Sequence, residues 1–335
     1  MDGNKFLVRV SCMTYNHVNY ITDAMNGFVI QQTPSPFVCT IVDDASTDGE
    51  QDVIRRYLFD NFDIQEIAVA YNRHMDYGEV YFARHNANIN CFFAVVLLNE
   101  NHYSQKKSKM PYLTEWMDAK YVALCDGDDY WTDPLKLQKQ VGFLEKHEQY
   151  VLCAHNSITL GVNGNMGCFN KWLNKTEFNY EDLILMDWFL PTQSLLYRRE
   201  VEEKNRIGRN FYNGDYCLQL RLTKGGGLVH YFNECMGVYR TDVGVSKDVS
   251  EYDVNLRIID LLEYMKSLSE ERYWKAFEER IKRLRCRNIE IDSYENNKKN
   301  GKKLWYRIRF RLLICFAKLL HLKNPEVKIY KNYQQ

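Results

Sequence analysis

The stretch that decides the fold runs from Leu124 to Pro134 and reads LCDGDDYWTDP. It places three carboxylates within four positions, at Asp126, Asp128 and Asp129, directly after an apolar segment typical of a buried strand. Carboxylates this close repel one another unless a cation or several donors lie among them, and clustered oxygen ligands suit Mg²⁺ or Mn²⁺ rather than zinc. A strand that ends in such a cluster places it at the carboxyl edge of a sheet, where open α/β folds bind ligands. The alternative is a solvated acidic turn, because Asp and Gly are common turn residues.

The chain has 335 residues, which fits one large domain with an appendage or two modest domains. Its hydrophobic content of 45% is typical of a globular protein with a sizeable core. Lys and Arg total 44, and Asp and Glu also total 44, so the net charge is zero. This balance gives no electrostatic reason to expect nucleic acid as a partner.

The ten cysteines are irregularly spaced and none forms a CxxC pair. Several lie in apolar runs, as buried free thiols do: Cys39, Cys91, Cys125 and Cys153. We therefore expect a reducing, cytoplasmic setting with neither a disulfide framework nor a zinc site. The N-terminus lacks the apolar segment of a signal peptide, and no stretch reaches 18 apolar residues, so no transmembrane helix is predicted.

The N-terminal part of the chain alternates strand and helix patterns. Apolar, β-branched runs predict strands at residues 6–13, 37–42 and 66–70, and apolar residues at helical spacing predict a helix after each of the first two. Thr47 and Glu50 have capping-box spacing at the start of the second helix. This β-α-β-α-β order predicts an α/β fold with a mainly parallel, helix-covered sheet.

The rest of the chain gives a mixed pattern. Residues 86–98 have apolar positions at helical spacing and predict a helix, whereas the mostly polar residues 99–118 predict a loop insertion with a short helix. The helix after the acidic stretch is predicted to be capped by Thr132 or Asp133, with Pro134 at its first position. Further elements are strands at 121–125, 151–154, 192–197 and 228–232, a loop at 210–215 and a helix at 216–222.

The sequence becomes charged and helical after about residue 248. We therefore predict an α/β domain over residues 1–248 and a helical C-terminal region over residues 249–335, with a linker at 291–301.

A second acidic cluster, Asp43-Asp44, ends the strand predicted at 37–42. Because the carboxyl ends of parallel strands meet at one edge, both clusters are expected to face one cleft, which a purely structural protein has little reason to build. Calcium is a poor fit, because the EF-hand-like run from Asp44 has Arg55 at its twelfth position, where a bidentate Glu is required. Dinucleotide binding is also poorly supported, because no GxGxxG follows the first strand and no GxxxxGK[ST] occurs.

Four short segments, in this order and spacing, resemble the nucleotide-sugar-dependent glycosyltransferases of family 2, which have a GT-A fold. The segments are residues 10–16 (VSCMTYN), 41–48 (IVDDASTD), 123–131 (ALCDGDDYW) and 213–216 (NGDY). The resemblance covers residues 6–246. It implies inverting transfer of a sugar from a nucleoside-diphosphate sugar, with a UDP-sugar favoured, to a hydroxyl of a glycan or lipid-linked acceptor. It also implies a bacterial cell-surface polysaccharide pathway as the setting.

By position, the resemblance implies a role for each matching residue. Asp215 would be the catalytic base, and Asp128 and Asp129 would lie at the metal, Mg²⁺ or Mn²⁺. The donor nucleotide would be bound by residues from several segments: Thr14, Tyr15, Asn16, Asp44, Asp126, Arg84 and Arg240. Two of these have alternatives, since Arg84 is otherwise a surface arginine and Arg240 otherwise pairs within the fold. Gly214 stands where the family often has a glutamate, so a second carboxylate beside the base is missing.

The sequence is compatible with several alternatives. Tyr130 and Trp131 either stack on a sugar or base, or pack beneath the site. A nucleotidyltransferase would usually need a glycine-rich phosphate loop after the first strand, which the segment 14–17 (TYNH) does not provide. A catalytically silent nucleotide-sugar-binding module is the other rival, and the presence of the acidic stretch together with Asp215 argues against it.

The segment from residue 298 to residue 323 carries nine Lys or Arg residues and no acidic residue. Leu304, Ile308 and Leu312 recur at helical spacing, so one face of a helix there is apolar. Basic amphipathic helices of this kind lie on membrane surfaces, which here would be the inner face of the cell membrane. The alternative is that the apolar face packs on the catalytic domain and leaves the charges in water.

Overall fold

The computed structural model describes residues 5–244 and 249–299, with the side chains of 295–299 left out. Within these ranges the chain forms two compact units: residues 5–210 and 214–244 build the first, and residues 211–213 and 249–299 build the second. The basic segment 298–323 lies outside the described residues, apart from the backbone of its first two positions. In the described part of the chain, no helix has the length and apolar character needed to cross a membrane.

The first unit is organised around a sheet of twelve strands within the described residues. The strands are β1 Phe6–Thr14, β2 Phe37–Asp43, β3 Tyr71–Met75, β4 Gly78–Arg84, β5 Cys91–Leu98, β6 Ala119–Leu124, β7 Tyr130–Trp131, β8 Tyr150–Gly161, β9 Met166–Cys168, β10 Glu177–Phe178, β11 Leu196–Arg198 and β12 Leu228–Thr241. Their order is β10-β12-β8-β11-β6-β1-β2-β5-β4-β3, with β7 paired to β12 and β9 to β8. The central pairs β6-β1, β1-β2 and β2-β5 are parallel, as is β8-β12, whereas β11, β4 and β3 run antiparallel to their neighbours.

Helices flank this sheet and form the second unit. Those of the first unit are α1 Ile21–Val29, α2 Glu50–Asn61, α3 Lys136–Lys146, α4 Tyr180–Leu185, α5 Arg199–Lys204 and α6 Gly214–Thr223. The second unit contains α7 Glu251–Ser267 and α8 Trp274–Lys299, which pack on each other and share a buried hydrogen bond of 2.8 Å from Asn255 Nδ2 to Asn288 Oδ1.

Strand β2 shows why the centre of the sheet is parallel and covered on both faces. All seven of its residues are buried. Phe37, Cys39 and Ile41 pack into the apolar layer that contains α1 and α2, whereas Val38 and Val42 pack into a second layer on the other face. A strand buried on both faces is the pattern of a parallel sheet covered by other elements. The predicted α/β architecture is therefore confirmed.

The region after α2 differs from the prediction. The helix predicted at 86–98 is wrong, because most of this run forms β5, which lies between β2 and β4. Apolar spacing does not distinguish a buried strand from a buried helix, and the aromatic and β-branched residues here fit the strand. The strand predicted at 66–70 is also wrong: the chain turns there, and the edge strand β3 follows at Tyr71. The predicted insertion at 99–118 is present and contains a 3₁₀ helix, Met110–Trp116.

Two predicted helix starts and one predicted linker also differ from the structure. Helix α2 is capped by Gly49 in a left-handed conformation, not by Thr47. Helix α3 begins at Lys136, two residues after Pro134, and no side chain caps it. The linker predicted at 291–301 is wrong for residues 291–299, which the structure describes, because α8 continues through Lys299.

Helix α1 packs directly on the backbone of β7. A Cβ on Gly27 would stand 2.8 Å from both the backbone N and the carbonyl O of Trp131. Overpacking at Gly27→Ala must displace backbone, which should cost about 1–3 kcal/mol in free energy of unfolding. This cost should exceed the gain of ~1 kcal/mol that alanine brings to a helix interior, so we expect the variant to be less stable than the wild type. Urea unfolding monitored by circular dichroism measures the change.

The matched control is Gly142→Ala in α3, where an added Cβ meets nothing within 4 Å. It should raise stability by its helix propensity alone. A Gly27→Ala protein as stable as the Gly142→Ala protein would contradict direct packing of α1 on β7.

Candidate functional site

Three strand ends of the sheet meet where the acidic clusters lie. Strands β1 and β2 are parallel and in register up to Thr14 and Asp43, and β6 runs parallel to β1 on its other side. Beyond the strands, the Asp44 N–H donates to the Thr14 carbonyl at 3.0 Å, and the Gly127 N–H donates to the Met13 carbonyl at 3.0 Å. Both acidic clusters therefore lie at the carboxyl edge of the parallel strands, as the sequence predicted.

The turn Asp126–Asp129 lies tightly against the end of β1. A Cβ on Gly127 would stand 2.1 Å from Thr14 Oγ1, so this approach requires glycine. The Thr14 hydroxyl donates in turn to the carboxylate of Glu50, a buried residue of the first turn of α2. The turn that carries the carboxylates is thereby fixed relative to β1 and α2.

The three carboxylates of this turn have different surroundings. Removal from water raises the pKa of Asp126 to about 7, and the charge of Asp128 adds to the effect. Burial and the charge of Asp128 also raise the pKa of Asp129, whose Oδ1 accepts the Arg240 backbone N–H at 2.8 Å. The Asp128 side chain is 18% exposed, and His17 Nε2 lies 3.8 Å from its Oδ2. Asp126 and Asp128 are therefore the partly exposed members of the turn, whereas Asp129 is buried.

Asp215 joins the same cleft from α6. It lies in the first turn of that helix, not in the loop predicted at 210–215. Its Oδ1 accepts the Tyr216 backbone N–H at 2.8 Å, and its Oδ2 accepts the Thr192 hydroxyl at 3.1 Å. Burial raises the pKa of Asp215, and these two hydrogen bonds partly offset that rise. The charge of Asp215 also raises the pKa of Asp126, so the two carboxyl groups lie within electrostatic range of each other.

Arg240 braces the turn from within the fold. Its Nη1 donates to the Asp128 carbonyl at 2.6 Å, and its Nη2 pairs with Asp23. The guanidinium lies between the rings of Tyr20 and Tyr130, 4.8 and 4.7 Å from their centroids. Of the two alternatives for Arg240, the described contacts match pairing within the fold.

Trp131 packs beneath the site and is 1% exposed. Its indole Nε1–H donates to the Gln193 carbonyl at 2.8 Å, and the Lys136 ammonium lies 4.0 Å from its ring centroid. Gln193 is the neighbour of Thr192, which donates to Asp215. A buried indole therefore connects the acidic turn to the segment that orients Asp215.

The loop after β1 is held to the loop after β2. Asn16, with φ of 58°, accepts the Thr47 N–H on Oδ1 at 2.8 Å, and its own N–H donates to Ser46 Oγ at 2.9 Å. Glu50 accepts the His17 N–H at 2.8 Å, a role that sequence reasoning missed because its spacing from Thr47 suggested a capping box. The Tyr15 side chain is 38% exposed at the rim. The side chains of Thr14 and Asn16 are thus occupied by the fold, whereas the Tyr15 ring remains accessible.

Asp44 anchors the insertion at 99–118. Its two carboxylate oxygens accept the backbone N–H groups of His102 and Tyr103, at 2.8 and 3.0 Å. The Lys109 ammonium also lies 2.9 Å from Asp44 Oδ2, and its charge lowers the pKa of Asp126. Sequence reasoning missed Lys109, because nothing in a polar loop marks which lysine folds back over the sheet edge.

Arg84 does not join the other candidates. It is the last residue of β4 and pairs across the ladder with Phe92, near the start of β5 and therefore at the opposite edge of the sheet from the acidic turn. Its Nη2 lies 3.2 Å from Asp63 Oδ2. Arg84 therefore matches the surface-arginine alternative, and its predicted contact with the nucleotide is wrong.

The acidic turn fits a divalent metal that is bound together with a substrate. Among the described residues, no three His, Cys, Asp or Glu side chains form a group that could hold a metal by themselves. Mg²⁺ is commonly held by one or two carboxylates plus substrate phosphates rather than by an all-protein cage. Asp126 and Asp128, whose charges act on each other, are a donor set of that kind.

No protein-family model matches the chain. An uncharacterised protein of Mycobacterium tuberculosis is 30% identical over 228 residues, which are 68% of this chain and 57% of that protein. TuaG of Bacillus subtilis, a glycosyltransferase assigned to teichuronic acid biosynthesis, is 26% identical over 241 residues, 72% of this chain and 81% of TuaG. The chain is thus homologous to glycosyltransferases, and it spans little more than half the length of the mycobacterial relative.

Two solved structures resemble the fold. S. aureus TarS in complex with UDP-GlcNAc aligns with a TM-score of 0.55 at 15% identity, covering 85% of this chain and 73% of that chain. The mannosyltransferase PcManGT of Pyrobaculum calidifontis, in complex with GDP-Man and Mn²⁺, aligns with a TM-score of 0.57 at 12% identity, covering 97% and 83%. The chain therefore has the GT-A glycosyltransferase fold that the sequence motifs predicted.

The raised pKa of Asp126 predicts a pH-dependent cost to stability. An aspartate with a pKa of 3.8 when unfolded and about 7 when folded destabilises the fold progressively as the pH rises between these values, and the cost persists above them. We expect Asp126→Asn to raise the free energy of unfolding by at least about 1 kcal/mol at pH 8, since one pKa unit corresponds to about 1.4 kcal/mol. The gain should be smaller at pH 5. Urea unfolding in EDTA at both pH values measures it.

Asp60→Asn, at an exposed position in α2, is the control and should show no such pH-dependent gain. An Asp126→Asn gain that is equal at pH 5 and pH 8 would show that Asp126 is ionised in the folded protein throughout this range.

Proposed function

We propose that the protein is a metal-dependent, inverting glycosyltransferase that moves a sugar from a nucleoside-diphosphate sugar to an acceptor hydroxyl. The observation that carries this proposal is the meeting of Asp126, Asp128 and Asp215 in one cleft at the carboxyl edge of the sheet. Burial raises the pKa values of Asp126 and Asp215, and carboxylates with raised pKa values in a cleft are typical of a site that binds cations or moves protons. Homology to TuaG supports sugar transfer as the reaction class.

In the proposed reaction, Asp215 accepts the proton of the acceptor hydroxyl while that oxygen attacks the anomeric carbon from the face opposite the diphosphate. The bond between the anomeric carbon and the diphosphate oxygen breaks, and its electron pair leaves with the nucleoside diphosphate. The new glycosidic bond therefore has inverted configuration. The hydrogen bonds from Tyr216 and Thr192 hold the Asp215 carboxylate in one orientation, and its raised pKa strengthens it as a general base.

The donor would lie across the ends of β1, β2 and β6. Tyr15 is placed to stack on the base with its exposed ring, and Lys109 adds a positive charge near Asp126 that suits a diphosphate. Asp44 would contribute by fixing the insertion that carries Lys109. Of the two residues that the resemblance assigns to the metal, Asp128 is partly exposed, whereas Asp129 is buried and accepts the Arg240 N–H. We therefore propose Asp128 and Asp126 as the metal ligands, with Asp129 supporting the turn. Mg²⁺ or Mn²⁺, when bound, would offset charge on the departing diphosphate.

The proposed donor and setting follow from the relatives. The TarS complex contains UDP-GlcNAc and the PcManGT complex contains GDP-Man, and of these we favour a UDP-sugar for this chain. The pathway assigned to TuaG supports a role in bacterial cell-surface polysaccharide synthesis. A glycan or lipid-linked acceptor at the inner face of the membrane would give the basic segment 298–323 a surface to bind.

Metal dependence is tested at Asp128. We expect nucleoside-diphosphate release from a panel of nucleotide sugars with Mn²⁺, and loss of that release in excess EDTA. Asp128→Asn should lower the rate by at least about 10²-fold, because several kcal/mol of charge stabilisation would be lost. In thermal unfolding, Mn²⁺ with the nucleotide sugar should raise the Tm of the wild type by mass action and not that of Asp128→Asn.

Asp60→Asn should behave as the wild type in both measurements. Full activity in EDTA would refute the metal assignment, and nucleotide-sugar binding without any turnover would favour the silent binding module.

The base is tested at Asp215. We expect Asp215→Asn to lower kcat by about 10² or more, the scale of general-base catalysis, with little change in donor affinity. Because the pKa of Asp215 is raised, the rate of the wild type should fall on acidification at a pH above the ordinary range of an aspartate. Near-normal turnover in Asp215→Asn would assign proton removal to another group.

A further inference from the structure

Three partly buried aromatic side chains lie together beside the acidic cleft: Phe169, which follows β9, Trp188, which follows α4, and Tyr239 on β12. We call them the aromatic triad. Their ring centroids are 5.4 Å apart for Phe169–Trp188, 5.4 Å for Phe169–Tyr239 and 5.9 Å for Trp188–Tyr239, with all three pairs edge to face. The three rings thus form one cluster that is partly open to solvent, unlike Trp131, which is 1% exposed.

The triad borders the carboxylates of the site. Burial raises the pKa of the Tyr239 phenol, and so do the charges of four nearby carboxylates, those of Asp129, Asp128, Asp215 and Asp126. The Trp188 indole acts on the Asp215 carboxyl group and lowers its pKa. The Trp188 N–H is buried and, among the described residues, completes no hydrogen bond of ordinary geometry. The partly open ring surfaces of the triad thus lie next to the proposed base.

Two buried asparagines hold the triad in place. Asn156 Oδ1 accepts the Asn170 N–H at 3.1 Å, and Asn156 Nδ2 donates to the Asn170 carbonyl at 3.2 Å. Asn170 Nδ2 donates in turn to the Phe189 carbonyl at 2.8 Å. Because Asn170 follows Phe169 and Phe189 follows Trp188, these bonds fix both chain segments that carry the rings. Side chains held by buried, satisfied polar groups are pre-organised for binding.

The position of the triad in the sheet separates it from the donor side. Tyr239 lies on β12, opposite Thr159 of β8. The residues proposed to bind the nucleotide lie at the ends of β1 and β2, beyond β11 and β6 in the strand order. The acidic turn contacts β12 directly, because Asp129 accepts the backbone N–H of Arg240, the residue after Tyr239. A molecule bound at the triad would therefore lie beside the acidic turn and Asp215, away from the strand ends proposed to bind the nucleotide.

We propose that the aromatic triad is the acceptor subsite and that the acceptor presents a pyranose ring to it, an inference that rests on the proposed glycosyl transfer. A pyranose has an apolar C–H face that packs on aromatic rings and hydroxyls that bind at the ring edge. Stacked on Trp188 and Tyr239, it would direct a hydroxyl to Asp215.

The test compares Trp188→Ala and Trp188→Phe with the wild type, using methyl hexopyranosides as acceptor probes and glycerol as a probe without a ring. We expect wild-type transfer to a pyranoside and not to glycerol at equal concentration. Trp188→Ala should raise the KM for the pyranoside by about tenfold, which corresponds to a stacking contact of 1.4 kcal/mol. Trp188→Phe should recover most of this loss. The KM for the nucleotide sugar should stay unchanged.

Trp172→Ala is the matched control, because Trp172 is 60% exposed and lies three residues from Phe169 outside the triad. It should match the wild type in every assay. Saturation-transfer NMR provides a readout without turnover: irradiation of protein aromatic protons should transfer to pyranoside C–H protons in the wild type and in Trp172→Ala, and not in Trp188→Ala. This measurement keeps the proposal testable on the wild type should Trp188→Ala fail to fold.

Equal transfer to glycerol and pyranosides would overturn the proposal, as would an unchanged acceptor KM in Trp188→Ala or absent saturation transfer in the wild type. In those cases donor turnover would persist, and the proposed glycosyl transfer would stand. Absence of both nucleotide-sugar binding and nucleotide release in the wild type would instead refute glycosyl transfer, and the acceptor subsite with it.

Discussion

The acidic site depends on the close packing of the turn Asp126–Asp129 against the end of β1. The Gly127 N–H bonds to the Met13 carbonyl, and the missing side chain at Gly127 leaves room for the Thr14 hydroxyl. Without this contact, mutually repelling carboxylates would be free to move apart. With it, the carboxylates stay together, and their burial, with the charge of Asp128 as a second cause, raises the pKa values of Asp126 and Asp129 and favours a bound cation.

Two buried contacts extend this constraint to the rest of the cleft. Arg240 fixes the turn from β12 through the Asp128 carbonyl. Trp131 fixes the segment that carries Thr192, and Thr192 orients Asp215. The proposed metal ligands and the proposed base therefore come from distant parts of the chain but are positioned by one connected set of contacts. Reactions that join two substrates need catalytic groups in fixed relative positions, because small misplacements of reacting groups cost large factors in rate.

The sequence predicted the features that follow from local pattern and from topology. Strand ends carrying Asp43 and Asp126 had to share an edge once the sheet was parallel, so the location of the cleft followed. It did not predict β5, because periodicity alone does not separate a buried strand from a buried helix. Nor did it predict the places of Glu50, Lys109 and Arg84, which are set by contacts between residues far apart in the chain. Such contacts leave no signal in the spacing of neighbouring residues.

Asp44 and Asp126 show how one sheet edge can give two aspartates opposite uses. The insertion at 99–118 folds over Asp44 and supplies two backbone N–H groups and the Lys109 ammonium, so the carboxylate is matched by its own chain. Asp126 faces Asp128 and Asp215 instead, and its pKa rises to about 7. A carboxylate in that position does not stabilise the fold, and residues that lower stability are typical of functional sites. Asp44 and Asp126 are both aspartates that follow a parallel strand. The insertion therefore decides that Asp44 anchors a loop and leaves Asp126 to bind a ligand.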